Sequence, residues 1–143
     1  MNRLLGLDYG SKRIGLSISD PLKIFASPYK VIINNNIKNV IIKINQIIDK
    51  KNIEEIIIGY PLNLKSEKTP QTLEVEKFIN VLYKKIEIPI KKMDERFTSK
   101  ISITNLNYLN VKSGSSKEQI DMQSATIILQ DYLDMKKKNE TKI

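Results

Sequence analysis

The fold is predicted by the stretch RLLGLDYGSKRIGLSIS, residues 3–19. Its first half is an apolar run that ends at Asp8, and its second half alternates apolar and polar residues up to Ser19. Gly10-Ser11-Lys12 separates the halves, so the stretch predicts a β-hairpin. Aspartate is a poor strand former and an unpaired charge at the end of a core strand is costly, which makes Asp8 a candidate metal-site or phosphate-site residue. The alternative is a carboxylate that caps the Gly10 turn.

The rest of the chain predicts a third strand and then alternating helices and strands. The predicted elements are a strand over 29–33, a helix from 37 that ends at Asn52, a strand over 55–59, a helix from Thr69-Pro70, a strand over 88–93, a helix from Thr98 or Ser99 through Leu109, and a helix over 118–135. An antiparallel meander continued by right-handed crossovers gives an α/β fold: a mixed five-stranded sheet flanked by helices. We expect a single domain over residues 1–143, with a frayed basic tail from about residue 136.

The composition limits the chemistry of any active site. The 143 residues include no cysteine and no histidine, which excludes thiol nucleophiles, disulfides and a histidine base. Carboxylates prefer hard cations, so an oxygen-ligated Mg²⁺ or Mn²⁺ site is favoured over zinc. No apolar run is long enough for a membrane-spanning helix, and the first residues lead directly into a strand. We therefore expect no membrane partner and no secretory signal.

The net charge is +8, which suits a polyanionic partner such as nucleic acid. A low-GC coding bias that inflates lysine explains the same excess. The run Lys136-Lys137-Lys138 is similarly ambiguous between a binding surface and a solvated, frayed tail, and the tail is the favoured account.

Three carboxylates occupy unusual positions for carboxylates. Asp8 ends the first predicted strand and Glu95 follows the last, whereas Asp121 shares the apolar face of the last helix with Ala125 and Ile128. If the first strand lies beside the fourth, Asp8 and Glu95 open on one edge of the sheet, where the packed helix can present Asp121.

Such a cluster needs a compensating charge, because each close pair of carboxylates costs about 1 to 4 kcal/mol, depending on the local dielectric. A divalent cation supplies that charge, and metal-activated water can hydrolyse a phosphodiester without histidine. The alternative is that Glu95 pairs with Arg96 or a lysine, while Asp121 caps its own helix.

Four segments carry a family resemblance, in the order Leu5–Asp20, Gly59–Asn63, Asp94–Ser99 and Asp121–Leu133. Together they resemble the YqgF family, the Holliday-junction-resolvase-like proteins named as nucleases of precursor 16S ribosomal RNA. The resemblance spans nearly the whole chain. It implies a ribonuclease H-like fold, a cytoplasmic location and a nuclease that matures the 5′ end of small-subunit ribosomal RNA.

The resemblance also implies the site residues. Asp8, Glu95 and Asp121 are carried over as the catalytic carboxylates that hold Mg²⁺ or Mn²⁺. The basic residues of the same motifs are assigned nucleic-acid contact or ordering of the site as a hypothesis: Lys12, Arg13 and Arg96. The family's glycines are missing from the loop after Asn63, so we expect a different backbone there.

Three other functions remain to be separated from this one. The same chemistry can act on branched DNA, since both substrates present phosphodiesters. A non-catalytic ribosome-assembly factor would use the basic surface to bind precursor ribosomal RNA or the pre-ribosomal particle. Asp-x-Gly at a first hairpin also resembles the phosphate loop of sugar-kinase and actin-type ATPases, but those need a second comparable domain, for which 143 residues leave no room.

Overall fold

The computed structural model describes residues 2–95 and 116–140. The strands are β1 (Arg3–Asp8), β2 (Arg13–Ser19), β3 (Ala26–Ile33), β4 (Ile53–Tyr60) and β5 (Ile90–Asp94). The helices are α1 (Ile37–Lys51), α2 (Pro70–Lys85) and α3 (Lys117–Glu140). The helix predicted from Thr98 or Ser99 through Leu109 lies outside the described residues. None of the helices within 2–95 and 116–140 is long and apolar enough to cross a membrane.

The strands form one mixed sheet in the order β3-β2-β1-β4-β5. Strand β2 runs antiparallel to both of its neighbours, β1 and β3. Strand β4 pairs in parallel with both β1 and β5. The predicted mixed five-stranded sheet is therefore confirmed, with β1 central beside β4.

Strand alternation divides the core into two layers. One face of the sheet packs on α1 and α2, with side chains such as Leu5, Leu7, Leu16 and Ile58 fully buried. The opposite face packs on α3, where Leu4 and Ile57 contact a cluster of α3 side chains: Ile128, Leu129, Tyr132 and Leu133. Each face of the central strands is covered, as expected for a parallel pair.

The helix ends follow local signals in the sequence. Asn36 caps α1 by accepting from the backbone N–H groups of Lys38 and Asn39, and Asn52 ends it in the left-handed conformation at φ 55°. Thr69, directly before Pro70, forms a capping box with Thr72 at the start of α2. The predicted stop at Asn52 and start at Thr69-Pro70 are confirmed.

Strand β3 is longer than predicted. It begins at Ala26, ahead of the predicted Tyr29, and includes Pro28. Pro28 is tolerated because β3 is an edge strand and because the register shifts there: Leu16 pairs with Lys30, whereas Ser17 pairs with Pro28. Helix α3 likewise continues beyond the predicted 118–135 to Glu140. The single domain and the frayed tail stay predictions.

Candidate active site

The carboxyl ends of β1, β4 and β5 meet at one edge of the sheet, because these strands are parallel. Asp8 is the last residue of β1, and Glu95 directly follows the last residue of β5. The strand order therefore brings two of the three predicted carboxylates to the same edge. We call it the carboxylate edge.

Asp8 belongs to the face of β1 that is covered by α3. Leu4 packs in the α3 cluster, and a Cβ at Gly6 would lie 2.9 Å from Cβ of Leu129. Alternate residues of a strand share a face, so Leu4, Gly6 and Asp8 all lie on the α3 side. Asp8 itself is half-buried.

Glu95 lies on the same face, over Gly59. A Cβ at Gly59 would lie 3.0 Å from Cδ of Glu95 and 2.7 Å from Cδ1 of Ile128 on α3. Gly59 stands one residue beyond the pair of Leu7 with Ile58, so it neighbours Asp8 across the β1–β4 ladder. The missing side chain at position 59 makes the space that Glu95 occupies.

Asp121 reaches the same region from the second turn of α3. Its Oδ2 accepts a hydrogen bond from Nε of Arg13 at 2.7 Å, and about a quarter of each side chain is exposed, 25% for Asp121 and 29% for Arg13. Its backbone carbonyl would overlap a Cβ at Gly15, which pairs with Asp8. Arg13 and Gly15 together set the approach of α3 to the carboxylate edge.

The three carboxylates share an edge and a face, yet they do not converge on one point. Within 2–95 and 116–140, no group of three or more acidic side chains is close enough to hold a metal ion. The donor set nevertheless fits a hard cation, because all three side chains offer only oxygen. Gly15 and Gly59 also leave the backbone room for Asp121 and Glu95 to approach Asp8.

The predicted basic residues have different surroundings. Arg13 is held in the ion pair with Asp121, and its role in ordering the site stays a prediction. Lys12 is exposed at the tip of the β1–β2 hairpin, where its carbonyl accepts from the Asn34 N–H at 2.9 Å. Arg96 lies outside the described residues.

A second polar network beside this edge was not foreseen from the sequence. The Tyr60 hydroxyl donates to Glu76, and Lys68 Nζ lies 2.7 Å from the same Glu76 Oε1. The hydrogen bond from Lys68, and then that from Tyr60, lower the pKa of Glu76, while the bond to Glu76 raises the pKa of Tyr60. These contacts tie the loop 61–69 to α2; the three partners are too far apart in sequence for a pattern to indicate them.

Gly15 and Gly59 were also missed as positions that shape the site. A glycine inside a strand often marks a close approach of another backbone or side chain, and this signal was available in the sequence. The glycine signal does not reveal which partner approaches, because α3 lies far from Gly15 in the sequence.

Comparisons with known proteins agree with this architecture. The family model described as "RuvX: Holliday junction resolvase" matches residues 2–135. Similar proteins named "Putative pre-16S rRNA nuclease" include one from Ruminiclostridium cellulolyticum, 37% identical over 92% of this chain and 94% of its own length. Another, from Sulfurihydrogenibium sp., is 43% identical over 94% of this chain and 91% of its own length.

Solved structures confirm the predicted ribonuclease H-like fold. Thermus thermophilus RuvC in complex with a Holliday junction substrate superposes with a TM-score of 0.59, covering 95% of this chain and 96% of that one at 10% identity. At this identity the likeness concerns the fold alone. The family follows from the match over residues 2–135 and from the relatives above 35% identity. The chain therefore belongs to the RuvX family, the YqgF family that its four motifs resemble.

Proposed function

We propose that this chain is a cytoplasmic, metal-dependent nuclease that hydrolyses phosphodiester bonds at the 5′ end of precursor 16S ribosomal RNA. The observation that carries the proposal is the common edge and common face of Asp8, Glu95 and Asp121. The choice of RNA rests on the names of the curated relatives. Water is the nucleophile.

Asp8, Glu95 and Asp121 would hold Mg²⁺ or Mn²⁺ through their carboxylate oxygens. When bound, such a cation activates water and stabilises the leaving oxygen of a phosphodiester. The chain's own residues then have separate tasks. Arg13 holds Asp121 at the carboxylate edge and balances its charge, and Lys12 contributes an exposed cation beside the substrate phosphates.

The absence of histidine determines where a proton can go. Because the chain has no imidazole, we assign the proton lost by the attacking water to a carboxylate oxygen or to solvent. Half-buried Asp8 and Glu95 are two carboxylates beside the edge that offer such an oxygen.

A second candidate function keeps the same chemistry on a branched DNA substrate. The observation in its favour is the description of the family model as a Holliday junction resolvase. A direct competition separates the two candidates: cleavage of a precursor 16S RNA fragment is compared with cleavage of a four-way DNA junction under the same Mg²⁺ or Mn²⁺ concentration. We expect faster cleavage of the RNA. A faster reaction on the junction would identify branched DNA, and not RNA, as the substrate.

The same assay tests the site when it is repeated with Asp8→Asn, Glu95→Gln and Asp121→Asn. Each variant should lose cleavage, keep the helical spectrum of the wild type and shift the thermal midpoint by no more than about 8 °C, since the largest expected loss of about 1 kcal/mol is that of the Arg13–Asp121 pair. Asp49→Asn, an exposed carboxylate of α1, is the matched control and should cleave normally. Full activity in all three site variants would refute the carboxylate site, and unchanged ribosome maturation in cells with Asp8→Asn would favour the non-catalytic assembly role.

A further inference from the structure

A groove of about 330 Å³ runs between the edge strand β3 and helix α1. Its basic and polar walls come from Lys30 on β3 and from Lys43, Gln46 and Lys50 on α1. The three α1 residues share one helix face at steps of three and four. We call this feature the β3–α1 groove.

The charge in the β3–α1 groove is of one sign. Its lining among the described residues contains three lysines and no carboxylate, and Asp49, the acidic residue of α1, does not contribute to it. Lys51, the last residue of α1, lies outside the lining, with its ammonium near the Tyr29 ring. The three lysines of the lining are exposed, so they are available to a ligand.

The aromatic ring of Tyr29 lies beside two lysine ammonium groups. Lys30 Nζ lies 5.1 Å and Lys51 Nζ 5.8 Å from the centroid of the Tyr29 ring. The ring attracts each ammonium, yet the ammonium groups repel one another, and a polyanion would relieve that repulsion. A basic groove with an aromatic side chain is the arrangement that proteins use to follow a nucleic-acid backbone.

The groove is connected to the carboxylate edge through the strand register. Val31 pairs with Gly15, which pairs with Asp8, so the β3 end of the groove lies two strands, or roughly 10 Å, from Asp8. The end of β3 is also tied to the first hairpin, because Asn34 donates to the carbonyls of Lys12 and Gly10. Exposed Lys12 lies at the tip of this hairpin, which connects the end of β3 to the strand that carries Asp8.

The two regions occupy opposite faces of the sheet. Lys30 pairs with Leu16, whose side chain is buried on the α1 and α2 side, whereas the carboxylates lie on the α3 side. Because β3 is an edge strand, a strand of nucleic acid can pass from one face to the other around it.

We infer that the β3–α1 groove binds the sugar-phosphate backbone of the substrate strand that flanks the cleavage position. This inference rests on the proposed function for the identity of the substrate, but not for the binding itself. The lysines contact phosphates, so they position the strand without reading its sequence. The β3–α1 groove thus lengthens the substrate contact beyond the carboxylate edge.

The test measures binding rather than cleavage. Labelled RNA and DNA single strands of one sequence are titrated with the full chain carrying Asp8→Asn, over a series of KCl concentrations. The groove variant adds Lys30→Gln, Lys43→Gln and Lys50→Gln. The control variant adds Lys84→Gln, Lys85→Gln and Lys91→Gln, which remove the same charge from the end of α2 and the start of β5, at the edge of the sheet away from Asp8.

The groove variant should bind at least about tenfold more weakly at low salt, with a log–log salt slope shallower by about 2, since each lost phosphate contact removes about 0.7 on a single strand. RNA and DNA should lose affinity alike, because phosphates are common to both. The control variant should stay within about twofold of its parent. Equal losses in the two variants would mean a diffuse charge effect, and an unchanged groove variant would exclude the site; either result overturns the inference.

Failure of this inference and failure of the nuclease proposal remain distinguishable. Weak binding by the groove variant together with an inactive wild-type chain would leave the β3–α1 groove in place and remove the nuclease. Wild-type cleavage with full binding by the groove variant would support the nuclease and exclude the β3–α1 groove as a binding site.

Discussion

Arg13 Nε lies 2.7 Å from Asp121 Oδ2, which joins β2 to the second turn of α3 beside the strand end that carries Asp8. This contact links residues 108 positions apart in the chain. It gives the Asp121 carboxylate a balancing cation from β2. Arg13 is therefore a positioning residue of the candidate site.

The Arg13–Asp121 pair should be energetically coupled. Both side chains are about a quarter exposed, so the coupling should be modest, on the order of 0.2 to 1 kcal/mol. Urea unfolding of Arg13→Met, Asp121→Asn and the double variant measures it as a double-mutant cycle, with Lys38→Met as the control for an exposed cation of α1. Strict additivity of the two single changes would show that the pair carries no coupling.

Gly15→Ala should destabilise the fold. The added methyl group would overlap the backbone carbonyl of Asp121, and a backbone atom of a packed helix cannot move aside alone. We expect a loss of about 1 to 3 kcal/mol in the free energy of unfolding. Urea denaturation of this variant beside Ser11→Ala, an exposed hairpin position, measures the loss; equal stability of the two would contradict the close packing of α3 on β2.

Gly59→Ala should affect activity more than stability. Its methyl group would meet the ends of two side chains, Cδ1 of Ile128 at 2.7 Å and Cδ of Glu95 at 3.0 Å, and side chains can rotate away. The rotation displaces Glu95, so metal-dependent cleavage should fall at least about tenfold, in the range seen when support around a metal ligand is lost. Cleavage rate and thermal midpoint are measured together. A variant that unfolds readily but cleaves normally would reverse the roles assigned to Gly59 and Gly15.

The Glu76 network should add stability that disappears in acid. Hydrogen bonds from Lys68 and Tyr60 hold the pKa of Glu76 below its usual 4.5. A carboxyl with a depressed pKa stabilises the fold above pH 4.5, and the contribution fades as pH falls through the lower folded pKa. The difference in unfolding free energy between wild type and Glu76→Gln should therefore be largest near neutral pH and shrink in acid.

Denaturant titrations between neutral and acidic pH measure that difference. Glu74→Gln, on an exposed position of the same helix, is the control and should follow the wild type. A difference for Glu76→Gln that grows as pH falls would contradict the direction of the Glu76 pKa.

Local patterns predicted the sheet well, but not the contacts between distant segments. The bounds of β1 and β2 follow from apolar runs punctuated by Asp8 and Gly10, and the structure has them unchanged. The predicted start of β3 was wrong because the register shift at Pro28 depends on pairing with β2. No local sequence pattern contains that pairing. The Arg13–Asp121 contact depends on how α3 packs, and it therefore had to come from the three-dimensional structure.

The positions of the three carboxylates were likewise predicted by local patterns, whereas the contacts around them were not. Strand ends predicted that Asp8 and Glu95 share an edge, because parallel strands align their ends. Helical steps predicted that Asp121 follows the face of Ala125 and Ile128, both of which are buried. The space that Gly59 leaves for Glu95 depends on the β1–β4–β5 register. No local pattern predicts it.

We propose that the carboxylates at this edge form a metal-dependent nuclease site. The most direct measurement is the single-turnover rate of cleavage of a precursor 16S RNA fragment as a function of Mn²⁺ concentration, for wild type, Asp8→Asn and Asp49→Asn. We expect saturable activation of wild type and Asp49→Asn, and a rate at least about 100-fold lower for folded Asp8→Asn at every Mn²⁺ concentration. Equal rates for Asp8→Asn and Asp49→Asn, or cleavage that does not depend on added metal, would exclude a metal-dependent site at Asp8.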